Sequence, residues 1–365
     1  MSLVKELTAC IEKIAPLSLQ EHYDNSGLLI GSPEMQISGV LIALDVTEEV
    51  IEEAVAQNCN VIIAHHPFIF NGIKKITGSN YVERCIIKSI QNNLAIYACH
   101  TNLDNVEGGV NFKIAEKIGI QAAKILSPKT GVLKKLITYC PIESTEKVQN
   151  ALFEAGAGAI GNYSECGFIT EGMGTFKPSD QADPVIGLKN KRNSIKEQKI
   201  EVIFPSYLQN KIFQTLKEAH PYEEVAYNLF TLDNTHQMIG SGIIGELAES
   251  EDEMTFLTRL KTIFEVGSVR FTKSRQKPIK RIAVCGGSGS FLLKEAISAG
   301  ADIFISADFK YHQFFDAENR ILIADIGHYE SEQFTKELLY DVIRKNFSNF
   351  AVRFTKINTN PINYL

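Results

Sequence analysis

Residues 61–67 read VIIAHHP, a run of four apolar residues that stops at two histidines and a proline. A run of this kind predicts a short β-strand that is buried on both faces, as in the centre of a parallel sheet. Adjacent residues of a regular strand point to opposite faces, so His65 and His66 can reach one site only if the chain leaves extended geometry after Ala64. Pro67 has no backbone N–H to donate, which favours that exit.

Two further apolar runs end in side chains of the same types. AIYAC (residues 95–99) is followed by His100 and Asp104, and ILIADIG (residues 321–327) is followed by His328 and Glu332. In open α/β sheets, ligands bind outside the carboxyl ends of the strands. Imidazole and carboxylate groups suit Zn, Fe, Mn or Co, and more than four of them exceed the needs of one tetrahedral ion. The sequence therefore predicts a site for two divalent metal ions per chain.

Both outer thirds of the chain show alternating strands and helices, which predicts an α/β fold. The predicted strands are 38–45, 60–64, 94–99, 281–285, 301–306 and 321–325, and the predicted helices are Thr47 to about Asn58, 81–91, 291–298 and 331–345. Val40 and Val61 are 21 positions apart, and so are Ile282 and Ile303. This match indicates either an internal duplication or the common period of βαβ units.

The middle of the chain has a different pattern, in which β-α-β is followed by a loop and by a second β-α-β. The predicted strands are 133–139, 158–175 (as a bent hairpin), 199–204 and 225–232, the predicted helices are 144–154 and 207–219, and the polar stretch 188–196 is expected to be mobile. This order is typical of a ferredoxin-like module. We therefore predict that residues 129–235 are inserted between two halves of one α/β core, residues 1–128 and 236–365.

Composition narrows the classes of function. The chain has 365 residues, of which 44% are hydrophobic and 22% charged, and a formal net charge of −6, which disfavours a basic surface for nucleic acid. No apolar run approaches the ~20 residues of a membrane helix, and the charged N-terminus favours an amphipathic helix over a signal peptide. Seven scattered cysteines without a CxxC pair favour free thiols and a cytoplasmic protein.

The motifs resemble those of the Nif-three-like proteins, also known as GTP cyclohydrolase I type-two homologues or dinuclear-metal hydrolases. The matching segments are YDNSGLLIG (23–31), AHHPFIF (64–70), HTNLDNVEGGVN (100–111), VCGGSGS (284–290), SADFKYH (306–312) and GHYESE (327–332). The middle of the chain resembles the insert of longer bacterial members, which is similar to the CutA and PII signalling folds, above all at HPYEEVAY (220–227).

This resemblance implies a mixed α/β core in two halves around a CutA/PII-like insert, and a ring-shaped homohexamer. It also implies that a pair of metal ions is held by five side chains: His65, His66, Asp104, His328 and Glu332. Asp104 is placed so that it could bridge two ions. His328 and Glu332 are four residues apart, so both face the same way if a helix begins near Tyr329.

Four other residues and one glycine-rich turn near these motifs have more than one interpretation. His100 is interpreted as a sixth ligand, a general acid or base, a group that orients Asp104, or a structural histidine. Asp308 and His312 lie near the site or begin a surface helix, and Asp45 either faces the crevice or starts a helix. The glycine-rich turn at 286–290 would either bind phosphate or allow close packing.

The predicted function is that of a dinuclear metal-dependent hydrolase whose substrate is a nucleotide-like or phosphate-bearing small molecule. His65, His66 and His328 would hold the metals, Asp104 and Glu332 would bridge or neutralise them, and His100 would act catalytically by carrying a proton. The alternative is a non-catalytic metal-handling or regulatory protein, in which the insert senses a small-molecule effector.

Overall fold

The structure is a computed structural model that describes residues 2–365, and the chain divides into two compact units. One unit combines residues up to Pro128 with residues Met238–Leu365, and the other is Lys129–Gln237, hereafter the inserted unit. The fold is mixed α/β. Within residues 2–365, no helix has both the length and the apolar character needed to cross a membrane.

The first part of the chain contains five helices and five strands. They are α1 (Val4–Ile14), β1 (Gly27–Ile30), β2 (Gly39–Ala43), α2 (Glu48–Ala56), β3 (Val61–Ala64), α3 (Tyr81–Gln91), β4 (Ala95–Ala98), α4 (Thr101–Asp104), α5 (Val110–Ile118) and β5 (Gln121–Lys129). Helix α2 begins where the sequence predicts it, because the Thr47 hydroxyl accepts a hydrogen bond from the Val50 N–H.

The inserted unit contains four strands and two helices. They are β6 (Leu133–Pro141), α6 (Thr145–Glu154), β7 (Gly167–Phe176), β8 (Asn193–Pro205), α7 (Gln209–Ala219) and β9 (Tyr227–Leu232). Its sheet has the order β7-β8-β6-β9 with antiparallel neighbours, which is a ferredoxin-like βαββαβ topology. Apolar side chains of α6 and α7, such as Val148 and Ile212, pack on Leu136 and Val202 of one sheet face.

The last part of the chain returns to the first unit. It contains β10 (His236–Glu251), α8 (Glu253–Ile263), β11 (Arg270–Phe271), β12 (Ile279–Val284), α9 (Leu293–Ser298), β13 (Ile303–Ser306), β14 (Leu322–Asp325), α10 (His328–Glu332), α11 (Thr335–Asn346) and β15 (Ala351–Phe354).

Two sheets form the core of this unit. The first has the order β1-β4-β3-β2-β15, and the second has the order β11-β14-β13-β12-β10-β5. Strands β2, β3, β4, β13 and β14 are buried along their whole length, as expected for central strands of parallel sheets. The last strand, β15, returns to pair in parallel with β2 near the start of the chain.

The 21-residue spacing found in both outer thirds of the chain corresponds to the same pairing register between neighbouring parallel strands. Val40 pairs with Val61 between β2 and β3, and Ile282 pairs with Ile303 between β12 and β13. In both sheets the second strand of the pair therefore begins one βαβ period after the first. As a result, the carboxyl ends of β4 and β14, the next strands along in the two sheets, lie at comparable positions, and each is followed by predicted ligands.

Three sequence predictions of local structure are wrong. The predicted hairpin at 158–175 is a single strand that starts at Gly167, because glycines with positive φ at 156, 158 and 161 interrupt the extended chain. The polar stretch 188–196 is partly strand, since β8 begins at Asn193 and pairs with β7. The predicted helix 331–345 is two helices, α10 and α11, separated at Gln333 and Phe334.

The loop between His66 and α3 is tied to the helix by a carboxylate. Glu83 accepts hydrogen bonds from the backbone and hydroxyl of Thr77, at 2.8 Å each, from the Ser79 N–H at 3.0 Å and from the Asn80 amide at 2.8 Å. The bonds from the backbone and side chain of Thr77, followed by those from Ser79, lower the pKa of Glu83 to about 2.

We therefore expect Glu83→Gln to lower the free energy of unfolding at pH 7, because the ionised carboxylate is the better acceptor. An unfolded glutamate titrates near pH ~4.3, so the contribution of Glu83 is fully present above that pH and is lost as the pH falls towards 2. Urea denaturation of both proteins at pH 7, 5 and 3 should give a difference in stability that narrows with acidity. The exposed Glu107→Gln is the control, and a difference that does not vary with pH contradicts this account.

Candidate metal centre

The predicted side chains from three separate strand ends come together at one cavity of about 820 Å³ in the first unit. They form three overlapping groups whose ligand atoms lie within 4.8 Å of one another: His65, His66 and His100; His66, His328 and Glu332; and His65, Asp104 and Glu332. Each group could hold a metal ion. His65 lies behind the cavity wall and is fully buried.

The local backbone explains how each ligand reaches the cavity. Strand β3 ends at Ala64, so the chain leaves extended geometry at His65 and both neighbouring histidines can turn inward. The short helix α4 begins after His100 and ends with Asp104. Gly327 precedes α10 with a φ of +88°, and the helix then presents His328 and Glu332 one turn apart.

Each of the four histidines has its Nδ1 atom held by an oxygen acceptor. These pairs are His65 with the Cys99 carbonyl at 2.8 Å, His66 with Asp45 Oδ1 at 2.7 Å, His100 with Asp24 Oδ1 at 2.8 Å, and His328 with Asp308 Oδ2 at 2.7 Å. Such a bond fixes both the tautomer and the ring orientation, and it leaves Nε2 free to bind a metal. Metal-binding histidines in proteins almost always have a partner of this kind.

The Nε2 atoms meet around the Glu332 carboxylate. Glu332 Oε2 lies 2.9 Å from His66 Nε2, 3.2 Å from His328 Nε2 and 3.7 Å from His65 Nε2. The Nε2 atoms of His66 and His328 are themselves only 3.3 Å apart. Nitrogen and carboxylate donor atoms that face one another at these distances suit a cation at their centre.

Two buried atoms of the cluster test whether a metal would fit. His65 Nε2 and Asp104 Oδ1 are buried, have no hydrogen-bond partner and lie 3.7 Å apart. Buried polar atoms rarely remain unsatisfied, so each one requires an explanation. A divalent cation would satisfy both atoms, and nitrogen and carboxylate donors match Zn, Fe, Mn or Co. The residues therefore fit a metal site.

Charge within the cluster shifts the two histidines closest to Glu332. Burial by itself would lower the pKa of His66, but the hydrogen bonds to Asp45 and Glu332 outweigh burial and raise that pKa to about 10. Burial likewise opposes the charged form of His328, but the charge of Glu332 and the bond to Asp308 raise its pKa to about 11. A metal ion can bind His66 and His328 only by displacing the Nε2 protons that these raised pKa values imply. Binding therefore has to be strong enough to offset the loss of those protons.

The pKa values of the Asp104 and Glu332 carboxylates are shifted in opposite directions. Burial and repulsion from Glu332 raise the pKa of Asp104 to about 7. Burial would also raise the pKa of Glu332, but the charges of His65 and His328 and the contact with His328 hold that pKa well below its ordinary value. Both carboxylates would be ionised beside a divalent cation, because the cation favours their charged forms.

The remaining candidates from the sequence have different positions. Asp308 contacts His328 and Asp45 contacts His66, so each orients a histidine of the cluster. His312 is exposed, packs edge-on against Tyr311 and belongs to none of the three ligand groups among the described residues. His100 is within the cluster, where its roles as a ligand and as an acid or base both stay open.

The glycine-rich turn at 286–290 packs closely against Glu332, and the N–H groups of its glycines are not available to bind a phosphate. The N–H groups of Gly286, Gly287 and Gly289 already donate to the side chains of Asn111, Ser331 and Ser306, at 2.9, 3.0 and 2.9 Å. Gly287 has a φ of +59°, and a Cβ atom there would overlap the Glu332 carboxylate. The structure therefore favours close packing as the reason for glycine at this turn.

Sequence reasoning did not identify Asp24 as a residue of the site. Its carboxylate is fully buried, contacts His100 and accepts hydrogen bonds from the Thr101 N–H at 3.0 Å and the Ser26 hydroxyl at 3.0 Å. Burial opposes its ionised form, but the hydrogen bond and charge of His100, together with bonds from the Thr101 hydroxyl and the Asn25 N–H, lower the pKa of Asp24. The only sequence feature that pointed to it was its position within YDNSGLLIG, since no apolar strand precedes it.

Comparison with known proteins gives one consistent result. The sequence profile of the Duf34/NIF3 (NGG1p interacting factor 3) family matches residues 2–361. A "GTP cyclohydrolase 1 type 2 homolog" of Halalkalibacterium halodurans is 38% identical over 359 residues, which cover 97% of this chain and 96% of that protein.

Solved structures agree with this result. A Bacillus cereus protein related to NIF3 has a TM-score of 0.84 and 36% identity, and the match covers 100% of this chain and 99% of that one. The Staphylococcus aureus protein SA1388 has a TM-score of 0.78 and 31% identity, with coverage of 100% and 99%.

The fit between Gly287 and Glu332 can be tested with a matched pair of variants. Gly287→Ala should reduce the metal content of the purified protein, because the new Cβ displaces the Glu332 carboxylate. Gly300 also has a left-handed φ, +72°, but a Cβ there would have no heavy atom within 4 Å. Gly300→Ala should therefore lose stability through backbone strain and keep its metal.

Metal content by plasma mass spectrometry and unfolding temperature should be measured on both variants. Equal metal loss in the two proteins, or none in Gly287→Ala, would contradict a role for the turn in seating Glu332.

Proposed function

This chain belongs to the Duf34/NIF3 family, and from that premise we propose that it is a dinuclear metal-dependent hydrolase of a nucleotide-like or phosphate-bearing small molecule. The name shared by its relatives, GTP cyclohydrolase 1 type 2 homolog, makes opening of a purine ring the first reaction to test.

One observation carries the proposal: six ligand-type side chains from three strand ends converge at the base of a cavity large enough for a small molecule. His65 and Asp104 would hold one ion, His66 and His328 would hold the other, and Glu332 would lie between them. A pair of divalent ions supplies an activated water at neutral pH and polarises the substrate oxygen.

His100 is the best candidate for proton transfer by the protein itself. Its Nδ1 is fixed by Asp24, so Nε2 would take a proton from the attacking water and return it to the leaving group. Asp24 would stabilise the charged imidazole formed in between. Since Asp24 is itself held by Thr101 and Ser26, the ring should keep one orientation throughout.

The cavity mouth suggests that the substrate carries a planar ring. Tyr23, Phe70 and Phe291 line the cavity and are 54%, 44% and 64% exposed, and the rings of Tyr23 and Phe70 are 6.3 Å apart at 31°. Exposed aromatic faces of this kind can stack on a heterocycle. Among the described residues, the cavity lining contains no lysine or arginine, so phosphate charge would have to be balanced at the ion positions.

The wider expectations from the family stay proposals. We infer a cytoplasmic homohexamer whose core halves, 1–128 and 236–365, flank a CutA/PII-like insert at 129–235. Light scattering on the purified full chain tests the oligomeric state directly.

The first experiment is turnover of GTP by protein loaded with Zn, Mn, Fe or Co, with ring opening and phosphate release measured separately. Asp104→Ala should lose metal and reduce turnover by about 100-fold or more, because it removes a buried ligand. Asp316→Ala, a change of the same type at an exposed position, should have no effect.

Ring opening that is lost in Asp104→Ala would identify a cyclohydrolase, and phosphate release alone would indicate a phosphohydrolase of another substrate. Full metal content in Asp104→Ala would contradict the ligand assignment. Metal binding without turnover of GTP would instead favour the metal-handling alternative.

A further inference from the structure

We propose that the inserted unit contains a second binding site, separate from the metal ligands, for a small organic cation with an aromatic or apolar body. The site is a cavity of about 640 Å³ that lies entirely within this unit. Cavities of ~300–1,000 Å³ are the usual size of small-molecule sites. The proposed hydrolase does not use this cavity, so the inference goes beyond that function.

The cavity is built from the part of the sheet that the helices do not cover. Its floor includes Tyr139 of β6 and Lys199 of β8, and one wall is the second half of β7, residues 170–176. The loop that follows β7 and the segment before β9 close the other sides. Register places Thr170 opposite Lys199 and Gly172 opposite Glu197, so these positions share one face of the sheet.

Apolar side chains line the cavity and remain largely exposed. Val185 is 63% exposed, although it is a large apolar side chain. Phe176 and Tyr139 add aromatic surface to the same lining. Uncovered apolar surface arranged in a concavity, with polar groups converging on it, is typical of a ligand site.

The charges around the cavity select the class of ligand. Three acidic residues whose position is compatible with this face, Glu197, Glu223 and Glu224, line the cavity together with two basic residues, Lys177 and Lys199. Lys199 is already paired with Glu201, outside the cavity. Among residues 2–365, none of these three carboxylates lies in an ion pair, so the lining carries an excess of negative charge that a cation would balance.

Glu197 is the best-positioned of these carboxylates. Its Oε1 atom accepts a hydrogen bond of 2.8 Å from the Tyr222 hydroxyl, and Oε2 lies over Gly174, where a Cβ atom would overlap it. Burial and the nearby Glu197 raise the pKa of Tyr222, so the phenol stays protonated and keeps donating. The carboxylate is thereby fixed in place and can accept a further bond from a ligand ammonium group.

Tryptamine and indole-3-acetate are suitable probes, because they share one ring system and carry opposite charges. Calorimetric titration of the full chain should show saturable binding of one tryptamine per chain and no binding of indole-3-acetate. Glu197→Gln and Glu224→Gln should each weaken tryptamine binding about tenfold, the order expected for loss of a charge-assisted hydrogen bond. Glu218→Gln, on α7 outside the cavity lining, should leave the affinity unchanged.

Metal content should be the same in all of these variants, which separates this site from the proposed hydrolase. Failure of tryptamine to bind, equal binding of the two probes, or unchanged affinity in both cavity variants would overturn the proposal. Light scattering on the same samples measures the oligomeric state. If the chain forms an assembly in which a second copy occupies the cavity and tryptamine does not bind, the proposal is also overturned.

Discussion

The fold of the first unit depends on burying a carboxylate among imidazole nitrogens. Glu332 is 3% exposed and lies within 3.7 Å of the Nε2 atoms of three histidines. An isolated buried charge is costly, and attraction offsets that cost only if the geometry is good and other hydrogen bonds complete it. Gly287 leaves room for this carboxylate, because a Cβ atom at that position would overlap it. A resident cation would turn the least favourable part of the core into a stabilising one.

Each histidine of the cluster is oriented by a hydrogen bond at its Nδ1 atom, and the acceptor comes from another part of the chain. Asp45, Asp24 and Asp308 each contact the Nδ1 atom of a different histidine, and a backbone carbonyl does the same for His65. Every ring therefore has its Nδ1 atom fixed, and its other nitrogen, Nε2, is available to the cluster. This shared arrangement explains why the cluster has the geometry of a metal site although its ligands belong to separate loops.

The sequence predicted the central strands well, and it placed the candidate ligands at strand ends that meet at one cavity, because both follow local rules. VIIA, AIYA and LIA are continuous apolar runs, and residues just beyond strand ends project into the crevice. The carboxylates that bond the histidine Nδ1 atoms cannot be found from the ends of apolar runs. Asp24 contacts His100, which is 76 positions away in the chain, and no residue adjacent to Asp24 indicates that contact. Strand β15 was missed for a similar reason, since its mostly exposed residues, AVRF, form a strand only by pairing with β2. Positive-φ glycines likewise shortened β7, an effect that hydropathy cannot show.

The pairing of β15 with β2 also affects how the chain can fold as it leaves the ribosome. Val352 pairs with Val40, so β2 has no neighbour on that edge until 312 further residues have been synthesised. During that time its backbone N–H and C=O groups form an open edge beside a fully apolar strand, which is a template for pairing with another chain. Long-range parallel pairing is also slow to form. The nascent chain is therefore open to aggregation at this edge from the synthesis of β2 until the synthesis of β15, and a chaperone that covers residues 39–43 would protect it.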